Sequence, residues 1–264
     1  MVAVHEVLQF MDQLAPMRLK MDFDNVGLLV GSSQAEVKKV LVSLDVTKAV
    51  IEEAKTMGAT LIVSHHPLIF SPLKAVTDTD ATGEKVIDLI KNDISLICMH
   101  TNLDIAKDGV NDALAGVIGL ENNSVLWELG TEEGAPYGLG RVGYLQKEET
   151  VSAFLSQVKT AIQSAGLRYY DAKRPVHKVA VMGGSGADAL DMAHKAGCDT
   201  FVVGEVKYNS FLQAQEYGLN LIEADHFCTE NVILEPLAQR MQERFPVITV
   251  LCSKVQKQAL DFFV

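Results

Sequence analysis

KKVLVSLDVTKAVIEEAKTMGATLIVSHHPLIF, residues 38–70, decides how the rest of the chain is read. KKVLVSLDV (38–46) alternates apolar positions as a strand does. TKAVIEEAKTMG (47–58) reads as a helix with Thr47 as N-cap and Gly58 as its stop. ATLIVSHHPLIF (59–70) is then a buried strand that ends at a polar pair, His65 and His66. Upstream, Val4, Val7, Leu8, Met11 and Leu14 predict an amphipathic helix over 3–14, and MDFDNVGLLVG (21–31) a loop leading to a short buried strand. Downstream come a helix around 82–91, a strand SLICMH (95–100), a loop TNLDIAKDG (101–109) and a helix from about 110. Strands alternating with helices predict an α/β fold: mostly parallel sheets covered on both faces by helices, in three layers.

The second half, from about Trp127, repeats this grammar. Residues 140–166 read as a strand and a helix capped near Thr150. HKVAVMGGSGADALDMAHKAGCDTFVVGEVKYNSF (177–211) reads as strand, Gly-rich loop, helix and strand. NLIEADH (220–226), a helix from about Thr229 to Arg244 and a strand VITVLCS (247–253) follow. An offset of 178 − 39 = 139 aligns Val40 with Val179, Val42 with Val181, Ala54 with Ala193, Gly58 with Gly197 and Val63 with Val202, without a gap. Duplication and shared strand–helix–strand grammar both produce such an echo. The expected division is 1–126 and 127–264, two interlinked α/β domains, with residues 224–230 packing back toward the first.

Composition bounds the function. The 264 residues are 48% hydrophobic and 22% charged, which excludes disorder, and the longest apolar runs are far shorter than a bilayer span needs. The opening MVAVHEVLQF lacks the basic n-region of a signal peptide, so a cytoplasmic protein is expected. A net charge of −11 argues against nucleic-acid surfaces and anionic membranes. It leaves room for an anionic substrate wherever bound cations supply local positive charge. Cys98, Cys198, Cys228 and Cys252 form no CxxC pair and read as reduced thiols.

In an open parallel sheet, ligands gather beyond the carboxyl ends of the strands. His65 and His66 follow one predicted strand, His100 and Asp104 a second, and Asp225 and His226 a third, with Glu230 in the next helical turn. Imidazoles with carboxylates suit Zn, Mn, Fe, Co or Ni as divalent ions. Adjacent histidines reach two ions more readily than one, and a carboxylate such as Glu230 spans both. Paired ions are a recurring hydrolytic device. Taken singly, Glu230 also reads as a helix N-terminal charge and Asp104 as a turn residue.

DNVGLLVG (24–31), SHHPLIF (64–70), HTNLD (100–104), GGSG (183–186), GEVKYN (204–209) and ADHFCTE (224–230) together resemble the GTP cyclohydrolase 1 type 2 family of YbgI-like dinuclear metal-centre proteins, in its short bacterial form. The resemblance implies His65, His66, Asp104, His226 and Glu230 as ligands of two divalent cations. Glu230 would bridge, Asp104 and His226 would join His65 on the first ion, and His66 would hold the second. It further implies a homohexamer and a hydroxide between the ions that attacks GTP or another substrate. Eukaryotic relatives are named as interacting factors, which makes a non-catalytic metal-binding scaffold the alternative, and phosphoester hydrolysis would use the same centre. Phe23 stands where many relatives have Trp, read here as a change in packing. His100 is a candidate orienting residue or general acid, or else a structural histidine. Ser185, in a Gly-rich loop that is either a phosphate cradle or a tight turn, and Lys207 are candidate substrate contacts. Cys228 lies between two ligands with its thiol expected to point away.

Overall fold

The computed structural model describes residues 1–262. In chain order the first elements are β1 (Val2–Ala3), α1 (Val4–Leu14), β2 (Gly27–Val30), β3 (Glu36–Val37), β4 (Lys39–Ser43), α2 (Lys48–Met57) and β5 (Leu61–Ser64). Next are α3 (Ala81–Lys91), β6 (Ser95–Cys98), α4 (Thr101–Ile105), α5 (Val110–Ile118), β7 (Glu121–Glu132) and β8 (Ala135–Glu149). They are followed by α6 (Val151–Ala161), β9 (Arg168–Tyr170), β10 (Val176–Ser185), α7 (Leu190–Lys195) and β11 (Thr200–Glu205). The chain closes with α8 (Tyr208–Tyr217), β12 (Asn220–Glu223), α9 (His226–Asn231), α10 (Leu234–Arg244) and β13 (Thr249–Cys252).

These elements fall into two compact α/β units: Met1–Leu103 with Leu234–Lys257, and Asp104–Ile233 with the described residues after Lys257. The break thus falls after Leu103 rather than after residue 126. Residues 121–126 lie in β7, which pairs with β8, and β8 pairs with β10, so they belong to the second unit's sheet. Leu114, Ala115 and Ile118 of α5 likewise share a core with Phe154, Val179 and Val202.

In the first unit the sheet runs β13-β4-β5-β6-β2, parallel except where β2 pairs with β6. Every residue of β5 and β6 is buried, the mark of strands covered on both faces. Leu41, Ile62 and Leu96 of three strands pack with Val50, Ile51 and Ala54 of α2 and Leu89 of α3. Thr47 caps α2 by accepting from the Val50 amide, and Gly58 ends it in the left-handed conformation at φ 68°.

The second unit's sheet runs β7-β8-β10-β11-β12-β9, with a parallel centre of β10, β11 and β12 and antiparallel flanks. The offset of 139 holds in its hydrogen bonding. Val40 opposes Leu61 in one unit, and Val179 opposes Thr200 in the other. Lys39 Nζ donates to the Met57 carbonyl and Lys178 Nζ to the Ala196 carbonyl, again 139 residues on. Gly58 and Gly197 share the left-handed turn, at φ 68° and 70°. The same register, the same lysine clasp and the same helix stop agree with internal duplication.

Some elements differ from the sequence reading, among them residues 101–105, read as loop and forming α4. The helix expected from Thr229 to Arg244 is two helices, α9 and α10. Pro236, in the first turn of α10, has no N–H to offer the Val232 carbonyl, and its ring crowds that carbonyl. Residues 121–149 form a long hairpin in place of the short strand expected from 140. Its turn places Glu133 and Gly134 at φ 49° and 81°, the two positive values a tight hairpin turn requires. β7 has no buried residue, so no apolar alternation marks it, while the part of β8 from 140 is the strand of the sequence reading. No helix among the described residues is long and apolar enough to cross a membrane.

Candidate functional site

In the first unit, β5 ends at Ser64 and the chain bends at His65 and His66. Their amides donate to the Ser43 and Leu44 carbonyls at 3.1 and 2.8 Å, which fixes both residues at the strand's carboxyl end. His65 is buried, and its Nδ1 donates to the Met99 carbonyl at 2.9 Å. A carbonyl only accepts, so the proton of the neutral ring sits on Nδ1 and the lone pair on Nε2. His66 Nδ1 is 2.8 Å from Asp45 Oδ1, and His100 Nδ1 is 2.8 Å from Asp24 Oδ1. The three imidazoles lie against one another, with ring centroids 5.0, 5.3 and 5.7 Å apart. One donor atom from each falls within 4.8 Å of the others.

Asp24 is the anchor of this cluster. Its side chain is buried and also accepts from the Thr101 amide at 3.0 Å and from the Thr101 hydroxyl. Burial alone would raise its carboxyl, but the hydrogen bonds from His100 and Thr101 outweigh that and hold it well below the ordinary carboxylate range. The depressed value contributes stability that is present above the unfolded carboxylate pKa of ~3.9 and is lost as pH falls. Asp24→Asn should therefore lower stability at neutral pH by about 1–3 kcal/mol. It should also remove part of the acid limb below about pH 4 in a plot of denaturation midpoint against pH. An unchanged acid limb would oppose this reading.

In the second unit, Asp104 lies on α4. Its backbone carbonyl accepts from Asn111 Nδ2 at 2.9 Å, while Asn111 Oδ1 accepts from the Gly183 amide at 3.0 Å. One buried asparagine thereby ties Asp104 to the glycine stretch of β10. Asp225, at φ 74°, starts α9 by accepting from the Cys228 amide. One turn separates His226 from Glu230, whose side chains meet with Nε2 3.1 Å from Oε2. His226 Nδ1 faces Glu205 Oε2 at 3.3 Å. If Nδ1 donates to Glu205, Nε2 directs a lone pair at a carboxylate oxygen, an approach that calls for a proton or a cation beside it. Glu230 is 4% exposed, so its charge also requires compensation.

The GGSG stretch does different work from a phosphate cradle. The Gly183 and Gly184 amides are given to Asn111 and to the Thr229 hydroxyl, and β10 continues through Ser185. Gly184, at φ 61°, makes room for the acid: a Cβ there would fall 2.1 Å from Glu230 Oε1. Ser185, Glu205 and Lys207 are exposed around the ends of β10 and β11.

Cys228 turns into the second unit's core, and burial first, then the Asp225 charge, push its thiol up to about 12. Cys198 rises to about 11 through burial and Cys252 to about 12 through burial and Glu235, while burial and Asp24 raise Cys98. These thiols are poor nucleophiles and poor ligands at neutral pH.

Each unit thus supplies donors of the right kind. The histidines of the expected ligand set have Nδ1 against an oxygen and offer Nε2, the arrangement that orients metal-binding imidazole. The set of nitrogen and carboxylate oxygen fits a divalent transition metal. Glu205, in GEVKYN, stands where the sequence reading put it, at a strand end, and the structure adds its contact with His226. Asp45, Asp24, Asn111 and Gly184 are the residues to which sequence reasoning gave no role. Asp45 lies two residues beyond β4, so the strand-end rule, applied to every strand, finds it. Asp24 lies in a loop and Asn111 inside a helix, where no periodicity marks them.

The family model described as Duf34/NIF3 (NGG1p interacting factor 3) matches residues 2–259. The chain belongs to the Duf34/NIF3 family. A Clostridium perfringens protein named GTP cyclohydrolase 1 type 2 homolog is 36% identical over 261 residues, covering 98% of this chain and 99% of that one. A Clostridium acetobutylicum protein of the same name is 36% identical over 228 residues, with 86% and 85% covered. Among solved structures, a Bacillus cereus protein related to NIF3 superposes with a TM-score of 0.93 at 27% identity, over 99% of both chains. Reduced HcgD from Methanocaldococcus jannaschii superposes with a TM-score of 0.81 at 30% identity, over 96% of this chain and 98% of that one.

Proposed function

We propose that this Duf34/NIF3 protein is a hydrolase that uses two divalent metal ions. The observation that carries the reading is the common state of its histidines: His65, His66 and His226 each have Nδ1 against a carbonyl or carboxylate oxygen. Such second contacts fix ring orientation and raise ligand basicity. In this reading His65, Asp104 and His226 would hold one ion, His66 would hold the other, and Glu230 would serve both. Bound ions of this kind lower the pKa of water and polarise an electrophile.

The chain's own groups divide the remaining work. Met99, Asp45 and Glu205 keep the rings turned. Gly184 keeps space for the Glu230 carboxylate. His100, its Nδ1–H given to Asp24, presents Nε2 as the atom that takes and returns a proton. The relatives' name makes GTP the first substrate to assay, with ring opening as the reaction, and a generic phosphoester the second. The protein is proposed to be cytoplasmic and homohexameric, as the family resemblance implies.

Elemental analysis of the purified protein should find about two transition-metal ions per chain, and turnover should disappear in His65→Ala. Fewer than one ion per chain, or undiminished turnover in that variant, overturns the hydrolase reading. The family model's description as an interacting factor favours one second reading, a metal-holding scaffold. Two bound ions with no turnover of GTP or phosphoesters would support it.

A further inference from the structure

Phe23 and Phe70 are 62% and 49% exposed, and the ring that Phe23 packs on is Phe70. A single exposed apolar side chain is ordinary. These two are held together. Their ring centroids are 6.2 Å apart at 52°, and the Phe70 ring stands edge-on to His100 at 6.4 Å and 82°. His100 in turn touches His65 and His66. An aromatic wall therefore runs from solvent into the imidazole cluster, all within the first unit.

The backbone under the wall is clamped although the rings are exposed. Phe23 precedes the buried Asp24, whose carboxylate accepts from His100 and from Thr101. Phe70 follows Ile69, whose carbonyl accepts from Asn25 Nδ2 at 2.6 Å. The loops carrying the two rings are thus tied to each other beside the rings themselves. Such preorganisation lowers the entropic cost of binding. The two phenyl rings are tilted 52° to each other and form no single plane. A flat π system stacks on one ring and meets the other at an angle, whereas an aliphatic phosphoester or amide gains nothing specific from the pair.

We propose that Phe23 and Phe70 form the wall on which the substrate lays a planar heterocyclic ring, with guanosine as the probe. That the bound ring belongs to a substrate rests on the hydrolase reading; that the wall binds it does not.

Equilibrium dialysis of the full-length protein against guanosine tests the wall, with ribose 5-phosphate as the ringless control, before and after chelation. Guanosine should bind saturably in both states. Phe23→Ala and Phe70→Ala should each weaken it roughly 5- to 150-fold, the range for stacking one base on one aromatic ring. Phe23→Tyr should retain it, and ribose 5-phosphate should not respond to any of the three. The proposal is overturned by absent guanosine binding, or by binding that both alanine variants leave intact. It is equally overturned if the alanine substitutions change the sedimentation of the protein and leave guanosine binding alone, because the wall then belongs to an interface between copies. Absence of any turnover by the unsubstituted, metal-loaded protein, with wall-dependent guanosine binding intact, sinks the hydrolase reading alone.

Discussion

Glu230→Gln should abolish hydrolysis, with kcat/KM falling by roughly 10³-fold or more, and should release metal from the purified protein. The substitution keeps the shape of the side chain and removes its charge. Glu230 is buried, 3.1 Å from His226 Nε2, and in the proposed arrangement it is the group common to both ions. Polarisation and water activation by metal ions supply several kcal/mol of charge stabilisation, and about 4 kcal/mol corresponds to 10³-fold. The fold should survive, because α9 is also held by Asp225 at its start and by the Thr229 contacts. Elemental analysis and turnover on the same preparation decide the matter. Full metal content with full activity in Glu230→Gln would contradict a bridging role.

The second large effect is expected at Gly184, where no chemistry resides. Alanine there meets two obstacles: φ is 61°, and the added Cβ would fall 2.1 Å from Glu230 Oε1. Gly197 provides the matched control, because at φ 70° its Cβ would meet nothing within 4 Å. Gly197→Ala should cost about 1 kcal/mol of stability from backbone strain alone and leave bound metal unchanged. Gly184→Ala should cost about 2–4 kcal/mol, from strain at a special backbone position together with overpacking. It should also lose metal, because relief of the clash moves the carboxylate. Chemical denaturation gives the stabilities and elemental analysis the metal. Equal behaviour of the two variants would show that Glu230 does not depend on the space at Gly184.

The repeat explains which parts of this architecture are legible in the amino-acid order. Strand, helix and strand at 38–64 and again at 177–203 are written in local terms: apolar alternation and a left-handed glycine stop, with a Thr cap in the first copy. Local terms survive in sequence because each acts within a few residues. Only the later part of β8 is legible in this way, because β7 buries no residue and so carries no apolar alternation. The division of the last long helix turned on Pro236, a residue that the first turn of a helix accepts but its interior does not. The candidate site divides in the same way. Its histidines and acids stand at strand ends, where the topology of a parallel sheet gathers ligands, so their types and spacing point to them.

What holds those residues is long-range in sequence and so has no pattern to read. His100 is fixed by Asp24, 76 residues away, and His65 by the Met99 carbonyl, 34 residues away. Glu205 meets His226 across 21 residues, and Gly183 reaches Asn111 across 72. The sequence by itself determined an α/β chain with a repeated unit and a set of metal-ligand residue types at strand ends. Only the tertiary structure decided which nitrogen each histidine presents, which glycine clears space for the acid, and that Phe23 and Phe70 stand in water. Residue type and spacing are local properties of a chain, whereas tautomer, clearance and exposure depend on neighbours that folding alone brings together.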